Sequence, residues 1–279
     1  MNIAALPPLR AVLEQAALAA DKRFGQHFLF DLNICRKIAR VAGPLDGTTV
    51  VEVGPGPGGL TRALLEAGAR VVAVEKDARF TPILQDLAGA CEGRLKFVCA
   101  DALEVDEGAL IAPATAASIV ANLPYNIATP LLVKWLTGGF RPQRMTLMFQ
   151  KEVAQRIIAA PGDGDYGRLA VLTQAVCEAQ ILINLPPRAF TPPPKVASAV
   201  VALRRRARVP SDEAIDLLQA VTMAAFGQRR KMLRSALRTL GGESLCEGAD
   251  VDPNARAETL DVAAFLRLAA VVGATASSA

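Results

Sequence analysis

The sequence predicts an α/β protein, with a mostly parallel sheet carrying helices on both faces, followed by a small all-α domain. Three observations carry that prediction. From residue 48, short β-branched runs alternate with alanine- and leucine-rich stretches, which is the rhythm of βαβ units. The first run passes directly into a glycine-rich turn, where a strand feeds a helix. Beyond Arg206 the β-branched runs stop and the pattern turns helical, which puts a domain boundary near 206.

In chain order, residues 1–21 form a leader. Its alanine-rich stretch, residues 11–20, is interrupted by Glu14 and Gln15, and no later run reaches the ~18 apolar residues of a membrane span. A flexible segment or an exposed, loosely packed helix is expected there. Residues 48–53 read as the first strand and 60–67 as the helix after the turn. Strands two to five follow at 70–74, 95–99, 118–121 and 145–149, with helices between them. The runs 181–185 and 197–203 flank a loop from Pro186 to Lys195 and are expected to close the sheet edge as an antiparallel pair. Helices are expected at 214–226, 229–240 and 262–272. The domains are therefore the leader 1–21, an α/β domain 22–206 and a helical domain 207–279.

A chain of 279 residues with 52% apolar content can bury the core of one large domain and a small appendage. The five cysteines are odd in number and scattered, without Cys-x-x-Cys spacing, and His27 is the single histidine. Disulfide and metal readings are both poor, and a reducing cytoplasm fits best. The net charge of +4 is unevenly spread, with nine Lys/Arg against three Asp/Glu over residues 204–240. A basic flank on a near-neutral body points to a polyanion partner.

Chemistry concentrates where strands end. Asn122-Leu123-Pro124-Tyr125 closes the fourth strand with an amide, a kink and an aromatic plate. An amino nitrogen conjugated to a π-system is a poor nucleophile. An Asn oxygen and a nearby carbonyl, that of Leu123, can accept its two N–H groups and draw the lone pair out of plane, while Pro124 removes a competing donor and Tyr125 stacks on a flat substrate. Gly54, Gly56 and Gly59 satisfy Gly-x-Gly-x-x-Gly after the first strand, which suits a dinucleotide or S-adenosylmethionine. Glu75 ends the second strand, placed for ribose hydroxyls, and Asp101 follows the third, placed for an adenine amino group. A nicotinamide cofactor would also need a hydride-acceptor site, and none is visible. Upstream, the segment from Lys22 to Leu29 with His27 makes sense as a cofactor flap. Phe190, on its proline-stiffened loop, is the second candidate stacking plate.

Together, Phe24-Gly25-Gln26-His27-Phe28-Leu29, Glu52-Val53-Gly54-Pro55-Gly56, Asn122-Leu123-Pro124-Tyr125-Asn126, Phe190 through Val196 and Phe226-Gly227-Gln228-Arg229-Arg230-Lys231 resemble the ribosomal-RNA adenine N6,N6-dimethyltransferases, and most closely their bacterial small-subunit branch. The likeness runs from about residue 22 to about 270. It implies a Rossmann-like, S-adenosylmethionine-dependent methyltransferase domain with a helical RNA-binding domain. It also implies dimethylation of two adjacent adenines near the 3′ end of small-subunit rRNA within an assembling subunit, by a monomer that needs no metal and no membrane. The cofactor residues it implies are His27, Leu29, Gly54, Glu75, Asp101 and Asn122; many relatives have Asn at the position of His27. Arg229, Arg230, Lys231, Arg234 and Arg238 are the RNA-binding candidates, with Arg230, Arg234 and Arg238 expected as one stripe of a helix whose face of Met232, Leu233, Ala236, Leu237 and Leu240 turns to the core. A DNA adenine methyltransferase, a protein-glutamine methyltransferase and a non-catalytic assembly factor on the same fold are the competing readings.

Overall fold

The computed structural model describes residues 3, 6–112 and 117–276. The leader expectation for residues 1, 2, 4 and 5, and the domain assignment of 277–279, fall outside them. The chain divides into two compact units, Met1–Ala154 with Gln180–Arg204, and Gln155–Ala179 with Arg205–Ala279.

The first unit opens with α1 (Leu9–Gln15), the two-residue strand β1 (Phe28–Leu29) and α2 (Leu32–Val41), whose N-terminus is capped by the Asp31 carboxylate on the amide of Asn33. The βαβ alternation then runs through β2 (Thr49–Val53), α3 (Gly59–Glu66), β3 (Arg70–Glu75), α4 (Thr81–Gly89), β4 (Leu95–Cys99), α5 (Glu107–Ile111), β5 (Ser118–Asn122), α6 (Tyr125–Thr137) and β6 (Arg144–Gln150). After α7 (Lys151–Ile158) and α8 (Arg168–Val176) come β7 (Cys177–Leu185), the two-residue β8 (Phe190–Thr191) and β9 (Ser198–Arg205). The main sheet has the order β4-β3-β2-β5-β6-β9-β7. Its first five strands are parallel, and β9 pairs antiparallel with β6, Met145 opposite Leu203 and Phe149 opposite Ala199. The two runs expected to close the edge are neighbours in the sheet, with β9 inserted between β6 and β7. Val50, Val51, Ile119 and Val120 are fully buried, as central parallel strands covered on both faces must be.

The leader is packed, which corrects the expectation of a loose helix. Leu9 and Leu13, one turn apart, are buried, and Leu13 joins a cluster with Phe28, Phe80, Ile83 and Leu84. The Arg10 guanidinium lies 5.1 Å from the centre of the Phe30 ring, and Arg62 donates to the carbonyl of Pro7 at 2.7 Å.

In the second unit, α8 packs against α9 (Asp212–Gly227), and α9 against α12 (Val262–Ala276). Leu218, Val221, Phe265 and Leu268 form its core together with Tyr166 and Val171. The unit therefore takes in residues 155–179 as well as the segment past 206, so the single boundary expected at 206 describes only its later part. The expected helix 229–240 is replaced by a turn, α10 (Leu233–Ala236) and a 3-10 turn over Arg238–Leu240, ahead of α11 (Gly242–Gly248). Competing backbone acceptors cause the break. Leu233 and Arg234 donate to the carbonyls of Ala255 and Pro253, at 2.9 and 3.0 Å, and Met232 bridges antiparallel to Arg256. Leu233, Ala236 and Leu237 are buried as expected, but Met232 is 42% exposed.

Candidate active site

The four strand-end groups meet because their strands are neighbours. With β4, β3, β2 and β5 adjacent in the sheet, Asp101, Glu75, Gly54 and Asn122 come to one cavity at the carboxyl ends, together with His27 and Leu29. Gly54 has φ +69°, and a Cβ there would lie 3.3 Å from the Pro124 ring, so glycine lets the first turn and the Asn122–Tyr125 segment touch. A Cβ on Gly59 would lie 2.6 Å from the carbonyl of Leu29, which seats the flap on the start of α3.

Glu75 is 7% exposed and shapes the turn itself. Its Oε2 accepts the amide of Gly56 at 2.9 Å and its Oε1 the amide of Asp77 at 2.8 Å. Burial raises its pKa, and these backbone donors offset part of the rise. Each oxygen keeps a second lone pair for a hydroxyl. Asp101 accepts from Lys76 Nζ at 2.6 Å and from the amide of Leu103 at 3.0 Å, and the Lys76 hydrogen bond holds its carboxyl below the usual range.

The flap is pinned at both ends. Gln26 donates to Asp77 Oδ2 and accepts from the amide of Asp21, both at 2.8 Å. Hydrogen bonding from Arg79 holds the Asp77 carboxyl low. His27 Nδ1 donates to the carbonyl of Pro192 at 2.7 Å, and its ring stacks on Tyr125 with centroids 5.5 Å apart. The structure thus commits the His27 side chain to the 192 loop and to Tyr125.

Asn122 Nδ2 donates to the carbonyl of His27 at 3.2 Å. Only the nitrogen end of the amide can face a carbonyl, so this bond fixes which end is which and leaves Oδ1 as the acceptor. The next residues form a strand-to-helix corner, with Leu123 buried, Pro124 at the N-cap of α6 and Tyr125 as the first helical residue. The Tyr125 hydroxyl hydrogen-bonds Ser198 at 2.5 Å, which anchors the ring, and burial raises its pKa.

Phe190 does not stand beside Tyr125 as an exposed plate. It is 3% exposed, paired with Leu29 in the β1–β8 ladder and packed in the core with Ile183 and Leu185. That ladder turns the ring inward, against the reading of an open, proline-stiffened loop.

In the second unit Arg229, Arg230, Lys231, Arg234 and Arg238 are all exposed, spread over the turn, α10 and the 3-10 turn rather than along one helical stripe. Arg229 is engaged within the unit, donating to Glu258 at 2.9 Å and to the carbonyl of Gly164 at 2.8 Å.

Sequence reasoning missed Gln26, Lys76, Ser198 and above all Glu52, which is 1% exposed in the cavity wall. A lone acid inside Val50-Val51-Glu52-Val53 was the available signal. Among the described residues no group of His, Cys, Asp and Glu could hold a metal ion, and no helix is long and apolar enough to cross a membrane. The five cysteines are free thiols.

Comparison with known proteins bears on this geometry. The family model for ribosomal RNA adenine dimethylase matches residues 17–273. Ribosomal RNA small subunit methyltransferase A of Phenylobacterium zucineum (strain HLK1) is 62% identical, over 96% of this chain and 94% of the relative. The protein of the same name from Caulobacter vibrioides is 64% identical, over 90% of this chain and 96% of the relative. Among solved structures, a dimethyladenosine transferase from Plasmodium falciparum superposes with a TM-score of 0.71 at 26% identity, over 87% of this chain and 96% of that one. The 23S rRNA methyltransferase ErmE does so with 0.65 at 27%, over 88% and 99%.

Proposed function

This chain belongs to the ribosomal RNA adenine dimethylase family, and from that premise we propose that it places two methyl groups on N6 of each of two adjacent adenines in a loop near the 3′ end of small-subunit (16S) rRNA, in the cytoplasm, during assembly of that subunit. The observation that carries the reading is the fixed orientation of Asn122, whose oxygen is left as an acceptor in the wall of the cavity that Gly54, Glu75 and Asp101 also line. S-adenosylmethionine supplies a methyl group on a positively charged sulfur, and that charge disappears on transfer.

The residues present fit that cofactor. Glycine allows close backbone approach at Gly54, Glu75 offers its remaining lone pairs to the ribose hydroxyls, and Asp101 offers an acceptor to the adenine amino group. His27 and Leu29 cover the site through the flap. On the substrate side, Asn122 Oδ1 and the Leu123 carbonyl accept the two N–H groups of the target adenine, and Pro124 holds the corner that aims them. These acceptors localise the lone pair on nitrogen. No strong general base is required, because the proton departs from a cationic product to water. Tyr125, held by Ser198, is the stacking surface for the extruded base, which offsets part of its unstacking. With Phe190 buried, its role is to support the flap strand rather than to stack. The exposed cations Arg230, Lys231, Arg234 and Arg238 hold rRNA phosphates, and Arg229 steadies the turn that presents them.

The test is methyl transfer from labelled S-adenosylmethionine to small subunits, naked rRNA, duplex DNA and protein, followed by nucleoside analysis. Dimethyladenosine formed in small-subunit rRNA is expected. Labelling confined to DNA or protein would refute the reading.

A further inference from the structure

Lys134 stands in the later half of α6, and its ammonium turns inward. It donates to the carbonyl of Ala102 at 2.8 Å, to that of Val105, and to Glu107 Oε1 at 2.9 Å. Glu107 is 1% exposed, and the same oxygen accepts the indole N–H of the fully buried Trp135 at 2.8 Å. An ordinary lysine keeps its head in water, so drawing this one onto two backbone carbonyls and a buried acid calls for a compensating gain. That gain is order in one segment. Residues 102–106 carry no helix or strand, and Asp101 and Ala102, where the segment begins, line the cavity. There Asp101 folds back on its own chain, its carboxylate accepting the amide of Leu103 and its carbonyl the amide of Glu104, both at 3.0 Å. The other cation on Asp101, Lys76, has a side chain 59% exposed, so solvent screens that ion pair. Lys134, at 25%, is the better shielded anchor.

We propose that Lys134 is a positioning residue for the cofactor, clamping the segment Ala102–Glu107 to α6 and so fixing Asp101, the acceptor for the adenine amino group. The inference rests on the reading that S-adenosylmethionine occupies this cavity. The clamp joins the two sides of the site, because α6 begins at Tyr125 and Lys134 stands nine residues on, about 13 Å along the axis. The cofactor's adenine is thereby located against the same helix that carries the substrate corner. Without the clamp Asp101 is free to leave hydrogen-bond reach of the adenine. The loss falls on that end of the ligand alone, since Gly54 and Glu75 are held by β2 and β3.

The experiment combines Lys134→Met with Glu107→Gln in the full chain, so that no unpaired charge is left in the core and Trp135 keeps an acceptor. The melting curve should stay near the native one, while calorimetric affinity for S-adenosylmethionine falls at least about tenfold, the worth of one hydrogen bond to a charged acceptor. With cofactor saturating, kcat should stay within about threefold of native and KM for small subunits should not move, the pattern of lost binding rather than of lost transition-state stabilisation. A second readout isolates the adenine end. S-adenosylhomocysteine and S-inosylhomocysteine differ at the purine 6-position, amino in one and oxo in the other, so the native enzyme should prefer the first and the variant should lose most of that preference. Native cofactor affinity in the folded variant overturns the inference, and so does equal weakening of both ligands, which would leave Lys134 a part of the fold only. Should the double variant not fold, Lys134→Arg keeps the charge beside Glu107, but its planar fork cannot direct donors at three acceptors grouped round one atom. Native affinity and preference in Lys134→Arg would then overturn the inference equally. A native enzyme that binds neither S-adenosylmethionine nor S-adenosylhomocysteine would instead sink the cofactor reading itself.

Discussion

Asn122 can act on an amino group only if its oxygen faces the incoming nitrogen, and one hydrogen bond to the His27 carbonyl decides that. Replacement by Ala removes the acceptor that matters at the transition state and leaves the glycine turn, Glu75 and Asp101 in place. Asn122→Ala should therefore bind S-adenosylmethionine with weakened but measurable affinity, while single-turnover methyl transfer falls by orders of magnitude. Near-native turnover would remove the central assignment. Phe190 teaches a different lesson. A two-residue ladder has no periodicity to read, so its burial was invisible in the sequence, whereas Asn122, Glu75 and Asp101 stood out because each ends an apolar run. Phe190→Ala should now lower stability by about 3–5 kcal/mol, as large-to-small core changes do. Urea denaturation measures it; an unchanged midpoint with a turnover defect would restore the stacking role.

Among the elements, the segment after α9 shows how a satisfied helical period can still mislead. Leu233 and Leu237 recur as a helix would have them and are indeed buried, yet the chain around Pro253–Arg256 captures the backbone donors. That competition comes from residues about twenty positions away in the chain and leaves no mark in the local pattern. The leader was readable in principle, since Leu9 and Leu13 share one face of a helix, but its alanine content and Glu14-Gln15 hid the signal. The basic cluster keeps its exposure on the altered backbone, and Arg229, paired with Glu258, separates from the others. Arg230→Glu with Arg234→Glu should leave the melting curve and cofactor affinity intact and weaken binding to purified small subunits. The slope of log affinity against log salt should flatten by roughly 0.7–0.9 per lost phosphate contact. An unaltered slope would return these arginines to a solvated surface.

At the scale of the whole molecule, the alternating pattern made the five parallel strands legible, because each is a short apolar run bounded by turns. It could not reveal that β9 inserts beside β6, nor that residues 155–179 belong with the second unit, since both depend on pairing between distant segments. A global consequence of Glu52 is the pH dependence of folding. Its native carboxyl holds a proton up to about 8, while the unfolded chain gives it up near 4.5. Between those values the native state binds more protons, so cofactor-free stability falls as pH rises through that window and is flat above it with respect to this group. Melting temperatures from pH 5 to 9 should show this decline in the native protein and lose it in Glu52→Gln; parallel curves would place the titration elsewhere. The interleaving of the two units also sets a timetable for synthesis. As the chain leaves the ribosome, α8 emerges first, then β7 and β9, and only afterwards α9 and α12, against which Ala170 and Val171 are finally covered. The sheet can therefore be completed while α8 still waits with its apolar face uncovered, and that interval is when a nascent chain is open to chaperones or to mispairing.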